Sequence, residues 1–215
     1  MKKLFYLIAV LFMVSCNQNE PFEESSNHFR SLEEFNAFIN EAVNESSALR
    51  TRAIDNVSSS SISPMECIKK TAIAKGLEFE VINEGTENEI ISFASDDPNI
   101  RYETITIPIF LYHDSELAAG GWFTGLVFSS YLYDTISQRV MEVCNTNAGL
   151  SAPPNCWYFK KWEIAFVHSE VNMGHTGIIA YWAGRLFFYN PTTERDEPHI
   201  YSKSQEVRIT PFAIN

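Results

Sequence analysis

From Tyr102 to Tyr112 the chain alternates, with Ile105, Ile107, Ile109 and Leu111 on one face. A two-residue period belongs to a strand with one buried face, because successive side chains of a strand point to opposite sides. Pro108 lies inside the run and lacks a ladder donor, which places this strand at an edge or a bulge. Two shorter alternating runs, Leu77 to Val81 and Ile91 to Phe93, flank a turn containing Gly85 and predict a hairpin. Trp157 to His168 reads as extended, and Glu206 to Ile214 as a last strand. Sixteen Phe and nine Tyr favour a β-rich core, since aromatic rings fit a pleated, half-buried surface.

Helical signals lie between these runs. Ser31-Leu32-Glu33-Glu34 has the form of a capping box. Behind it Leu32, Phe35, Phe38, Ile39, Ala42 and Val43 recur at helical spacing, so residues 31–49 are expected to hold an amphipathic helix. Residues 50–62, with serine at 58 to 61, read as a linker. Ser63 as N-cap, Pro64 at the first helical position and Glu66 three residues on predict a second helix running to Lys75 and ending at Gly76. Trp122 to Val143 is the longest helical stretch by pattern, with Leu126, Tyr133, Ile136, Val140 and Val143 as its stripe. Asn145 to Asn155 is a loop between Cys144 and Cys156. The expected class is α+β, an antiparallel sheet with two or three helices, in a single domain over 63–215.

The N-terminus carries a separate signal. Lys2 and Lys3 precede an apolar run from Leu4 to Val14, too short to span a bilayer comfortably. It ends Met13-Val14-Ser15-Cys16. This resembles the lipobox of bacterial lipoproteins, with Met in place of the usual Leu. The resemblance implies that residues 1–15 are a signal peptide and that Cys16 is lipidated. It also implies a chain held to a membrane of the cell envelope, on its periplasmic or cell-surface side, without spanning it. Residues 16–30 are then the lipidated cysteine and a polar tether. The formal net charge is −11, and losing residues 1–15, with Lys2 and Lys3 and no acid, takes it to −13. Such a surface repels phosphate backbones and anionic lipid, so nucleic acid is not an expected partner.

A third feature is the stretch from Met173 to Pro191. It reads as His175 opening a buried strand, a two-residue hairpin loop at Ala183-Gly184, a second strand, and Asn190 before Pro191 at the exit. That reading sets an imidazole and a side-chain amide at one end of a ribbon. Cys67, in the first turn of the second helix, precedes them in the chain, where the helix dipole favours a thiolate. Cys, His and Asn in this order resemble the set used by papain-like cysteine enzymes. Carried over, Cys67 is the nucleophile, His175 the base and Asn190 the orienter, acting on amide bonds of peptide or cell wall. Gly120-Gly121-Trp122-Phe123-Thr124-Gly125-Leu126 resembles instead the cysteine motif of some papain-like bacterial effector proteases, with Phe123 where the cysteine stands. In that alignment the domain is a non-catalytic relative.

Each of these residues also has a plain structural reading. Cys67 serves as a small buried hydrophobe, His175 as a histidine at a strand edge, and Asn190 as a turn former. His113 and His168 also stand at strand ends as alternative bases. Cys144 and Cys156 flank one loop and form the candidate disulfide pair, which leaves Cys67 over. No cysteine or histidine spacing matches a metal motif, and no cofactor is expected. Two functions follow. The first is a lipid-anchored binding or interaction domain for a peptide, cell-wall or protein ligand, which the second resemblance implies to be a degenerate papain-like fold; the alternative is a papain-like thiol hydrolase.

Overall fold

Two cores organise the chain, one on each face of a five-stranded sheet. The structure is a computed structural model and describes residues 27–54, 64–113, 121–151 and 158–209. Helices α1 (Leu32–Ile54) and α2 (Pro64–Ala74) come first. Eight strands follow among the described residues: β1 (Phe79–Ile82), β2 (Ile90–Ala94), β3 (Ile100–His113), β4 (Gly121–Asp134), β5 (Arg139–Ser151), β6 (Phe159–Val171), β7 (Gly177–Asn190) and β8 (Arg195–Arg208). Every ladder is antiparallel and joins neighbours in sequence, giving sheets ordered β1-β2-β3-β4-β5 and β6-β7-β8. The class is α+β, with the antiparallel sheet dominant.

The alternation of β3 sets the layers. Ile105, Ile107, Ile109 and Leu111 are buried between the two sheets with Phe123, Val127, Trp182, Leu186 and Phe188. The opposite face turns to the helices. There Tyr102 and Phe128 meet Phe35, Phe38, Ile39 and Ala42 of α1 and Met65, Ile68 and Ala72 of α2. Phe29 sits at the centre of this outer core, within 5.2–5.9 Å of the rings of Phe35, Phe38, Phe93 and Tyr102. The caps form as the residues require. Ser31 Oγ accepts the Glu34 N–H, and Glu34 reaches back to the Arg30 N–H, one residue before the position of an ordinary capping box. Gly76 closes α2 at φ +69°, a left-handed conformation that costs glycine little. Helix α1 continues to Ile54, so the first five residues of the expected linker are helical.

The long helix expected over 122–143 is instead the β4–β5 hairpin. Strand β4 is buried on both faces: Phe123, Val127, Tyr131 and Tyr133 point to the inner core, while Leu126, Phe128 and Leu132 point to the outer one. A doubly buried strand reads as a continuous apolar run with no two-residue alternation, so its spacing passed for helical. The turn is held by Asp134, whose carboxylate accepts the Ile136 N–H at 2.8 Å and the Ser137 hydroxyl at 2.7 Å. Ile136, assigned to the helical stripe, is 74% exposed at that turn.

The hairpin expected at Ala183-Gly184 is also absent. Strand β7 is continuous, and Gly184 lies in its middle, opposite Ile164 of β6 and Tyr201 of β8. The last strand accordingly starts at Arg195 and not at Glu206. Gly184 is needed for space and not for a turn. A Cβ there would stand 2.7 Å from the Glu163 carbonyl oxygen and 2.9 Å from Cη2 of Trp182, whose indole is fully buried and stacks on Trp162. Pro108, in contrast, is where the sequence put it. The β2 ladder stops at Ile105 and the Thr106 N–H is the last donor to that side, so the missing donor at 108 costs nothing.

Gly184→Asn separates the two readings of this position. A two-residue turn accepts asparagine with little loss. In the buried slot beside Trp182 the substitution is expected to cost roughly 2–3 kcal/mol, lowering the thermal midpoint by roughly 5–10 °C for a chain of this size. Thermal unfolding followed by aromatic circular dichroism measures it, and an unchanged midpoint contradicts the slot.

Candidate functional site

The three residues expected to form a catalytic set are held apart. His175 lies in the turn between β6 and β7 at φ +56°. Its Nδ1 is 3.0 Å from the Val140 carbonyl, which can only accept, so Nδ1 donates. Its own carbonyl accepts the Val140 N–H at 2.8 Å. The residue thus pins the β6–β7 turn to the start of β5. Asn190 is at the far end of the 14-residue strand β7 that follows this turn. At about 3.3 Å per residue that is roughly 40 Å away. Its Oδ1 accepts the Thr192 and Thr193 N–H groups and its Nδ2 donates to Glu197, so it forms the β7–β8 turn. Cys67 is buried on α2, on the outer face of the five-stranded sheet, while His175 belongs to the sheet packed on the inner face. The expected proximity of His175 and Asn190 rested on a chain reversal at Ala183-Gly184, and the unbroken β7 removes it.

Phe123 is a core residue. It is fully buried, 5.3 Å from the Phe159 ring and 5.6 Å from that of Phe188. His168 is exposed on β6 and stacks on Tyr181; the His113 side chain lies outside the described residues. Cys144 carries a free thiol in mid-strand β5, and burial pushes that thiol up to about 12, with Glu142 adding to the rise. Cys156, its expected disulfide partner, and Cys16, the expected lipidation site, lie outside the described residues.

Two other features are assembled by the fold. The first is Glu103, only 1% exposed in the inner core. It accepts the Ser92 hydroxyl at 3.1 Å and stands opposite Tyr131 in the β3–β4 register. Burial pushes its carboxyl up to about 7; the Tyr131 and Ser92 hydroxyls and Arg101 pull the other way, and Glu80 adds to the rise. The Tyr131 and Tyr133 hydroxyls are raised in turn, mainly by burial and then by Glu103. The alternation of β3 contained the clue, because Glu103 has the parity of Ile105 and Ile107.

The second is an open groove of about 270 Å³ beside α2. Its floor is the outer face of β3 and β4 just past the end of β2, where Pro108, Leu126 and Phe128 meet Met65 of α2. Phe110, 46% exposed, continues the apolar surface outward. Its rim is acidic: Glu66 from α2, and Glu87 and Glu89 from the β1–β2 turn. Lys69, mostly buried under that rim, reaches Glu89 at 2.9 Å, Glu66 at 3.4 Å and Glu84 at 3.9 Å. Burial opposes its charge, but the Glu89 and Glu66 carboxylates prevail and its ammonium is held above the ordinary lysine value. Thr106 Oγ1 is buried on the groove wall with no hydrogen-bond partner among the described residues.

Comparison of the chain with family models, with curated proteins and with solved structures finds no match. Among the described residues no group of three His, Cys, Asp or Glu side chains is placed to hold a metal ion. No helix among them is long and apolar enough to cross a membrane.

The Glu103 carboxyl makes stability depend on pH. Between the ordinary value of 4.5 and about 7 the unfolded chain has released this proton while the folded chain keeps it. Its contribution to stability therefore falls as pH rises through that window. Glu103→Gln, which cannot ionise, is expected to gain on wild type by up to about 3 kcal/mol between pH 4.5 and pH 8. Denaturant midpoints of both proteins across this range test it, and a pH-independent difference refutes the assignment.

Proposed function

We propose that this chain is an exported, lipid-anchored lipoprotein whose folded part is a non-catalytic binding or interaction domain for a peptide, cell-wall or protein ligand. The observation that carries the non-catalytic half is the position of His175 and Asn190 at opposite ends of β7. A base needs its orienting group within hydrogen-bond reach, and a thiol needs the base equally near. Here each residue has a turn or strand to hold. A papain-like ancestry is no part of this reading, since the hairpin that suggested it is a single strand. The binding half rests on the groove beside α2, which combines an apolar floor with polar groups at the rim, the usual composition of a recognition site. The anchoring half rests on the lysine pair, apolar run and Met13-Val14-Ser15-Cys16 sequence.

Two experiments test these halves separately. Cells fed an alkyne analogue of palmitate are expected to label wild type and not Cys16→Ser, and the variant is expected to leave the membrane fraction. Equal labelling of both rejects the anchor. A thiol-reactive amide-hydrolase probe is expected to leave the folded wild type unlabelled. Labelling that disappears in both Cys67→Ala and His175→Ala would restore the thiol-hydrolase alternative.

A further inference from the structure

We infer that the groove beside α2 takes side chains of a cationic, apolar peptide segment from a partner protein. The inference rests on the binding-domain reading above and names the ligand class of that site. Its form is the first argument. About 270 Å³ is less than the roughly 300–1,000 Å³ of sites that enclose a whole small molecule. The groove is open, and Phe110 extends its floor into solvent. A space of that size suits one or two side chains of a larger partner lying across the surface. Met65, Pro108, Leu126 and Phe128 make the floor apolar, so an aliphatic or aromatic side chain gains by leaving water there.

Charge selects among such partners. Glu66, Glu84 and Glu89 pair with one lysine, Lys69, and Glu87 lines the same groove without another cation beside it in its lining. The rim therefore keeps an excess of negative charge over an apolar floor. A lysine or arginine beside the inserted apolar residue meets complementary charge, whereas an acidic segment, an anionic lipid surface or a nucleic acid is repelled. The whole chain carries −11, so the long-range field steers the same class of partner.

A random peptide display library, selected on the full-length protein in detergent, tests this. The expected enriched sequences pair Lys or Arg with Phe, Leu or Ile. Their synthetic forms are expected to bind Glu66→Lys/Glu87→Lys at least about tenfold more weakly than wild type. Binding to Phe110→Ser should fall as well. Both variants alter exposed side chains, and thermal midpoints near that of wild type establish that they fold. Enrichment of neutral or acidic sequences overturns the inference, as does the absence of any enrichment. Peptides that bind equally well to wild type and both groove variants overturn it while leaving the binding-domain reading intact. That reading falls by the separate route of thiol-probe labelling at Cys67.

Discussion

The β3–β4 pair carries apolar side chains on both of its faces, and everything else is arranged to cover them. On one side lie Ile105, Ile107, Leu111, Phe123 and Val127, and on the other Tyr102 and Phe128. Two strands with this composition cannot form a one-sided sheet in water, since either face left open would expose several large side chains. The β6-β7-β8 sheet closes the inner face through Trp182, Leu186 and Phe188. The two helices close the outer face through Phe35, Phe38, Met65 and Ile68. Three layers follow from one doubly apolar hairpin.

The covering is incomplete on the outer side, and there the groove arises. Strand β2 ends opposite Ile105, and α2 reaches the floor only through its first turn, so Pro108, Phe110 and Leu126 are left beside open space. The same short β1–β2 hairpin that leaves the floor uncovered brings Glu84, Glu87 and Glu89 to its edge. Apolar floor and acidic rim thus share one cause. The inner core has an opposite irregularity. Glu103 occupies an apolar parity, where burial raises its carboxyl to about 7, with Ser92 and Tyr131 beside it. That carboxyl is enclosed, whereas the groove is open, so the groove is the more accessible place for recognition.

Residues that resembled a catalytic set have structural employment. His175 ties one turn to β5, Asn190 forms another, and Phe123 packs with Phe159 and Phe188. Their residue types suit that set, but their local settings do not: β7 runs unbroken between His175 and Asn190, and Phe123 lies in strand β4. What failed was the chain path between them. Ala183-Gly184 has turn composition, yet Gly184 is there because Trp182 occupies the room its side chain would need. A glycine required by a ring two residues away has the same letter as one required by a turn. Glu103 was discernible by parity within β3, but the groove was not, because its walls come from α2, the β1–β2 turn, β3 and β4.

By itself the sequence determined what depends on neighbours along the chain. Ser31 and Glu34 start α1, Pro64 and Gly76 bound α2, the turn with Gly85 joins β1 to β2, and alternation defines β3 with Pro108 on its open side. These are effects of a few residues, set by caps, backbone freedom and the strand repeat. The tertiary structure alone decided whether 122–143 is helix or hairpin, where β7 ends, and which polar groups share a site. Those outcomes depend on which surfaces are covered, and covering is done by residues far away in the chain. A strand buried on both faces loses the alternation that would announce it, so its identity is settled only when the second sheet and the helices are in place.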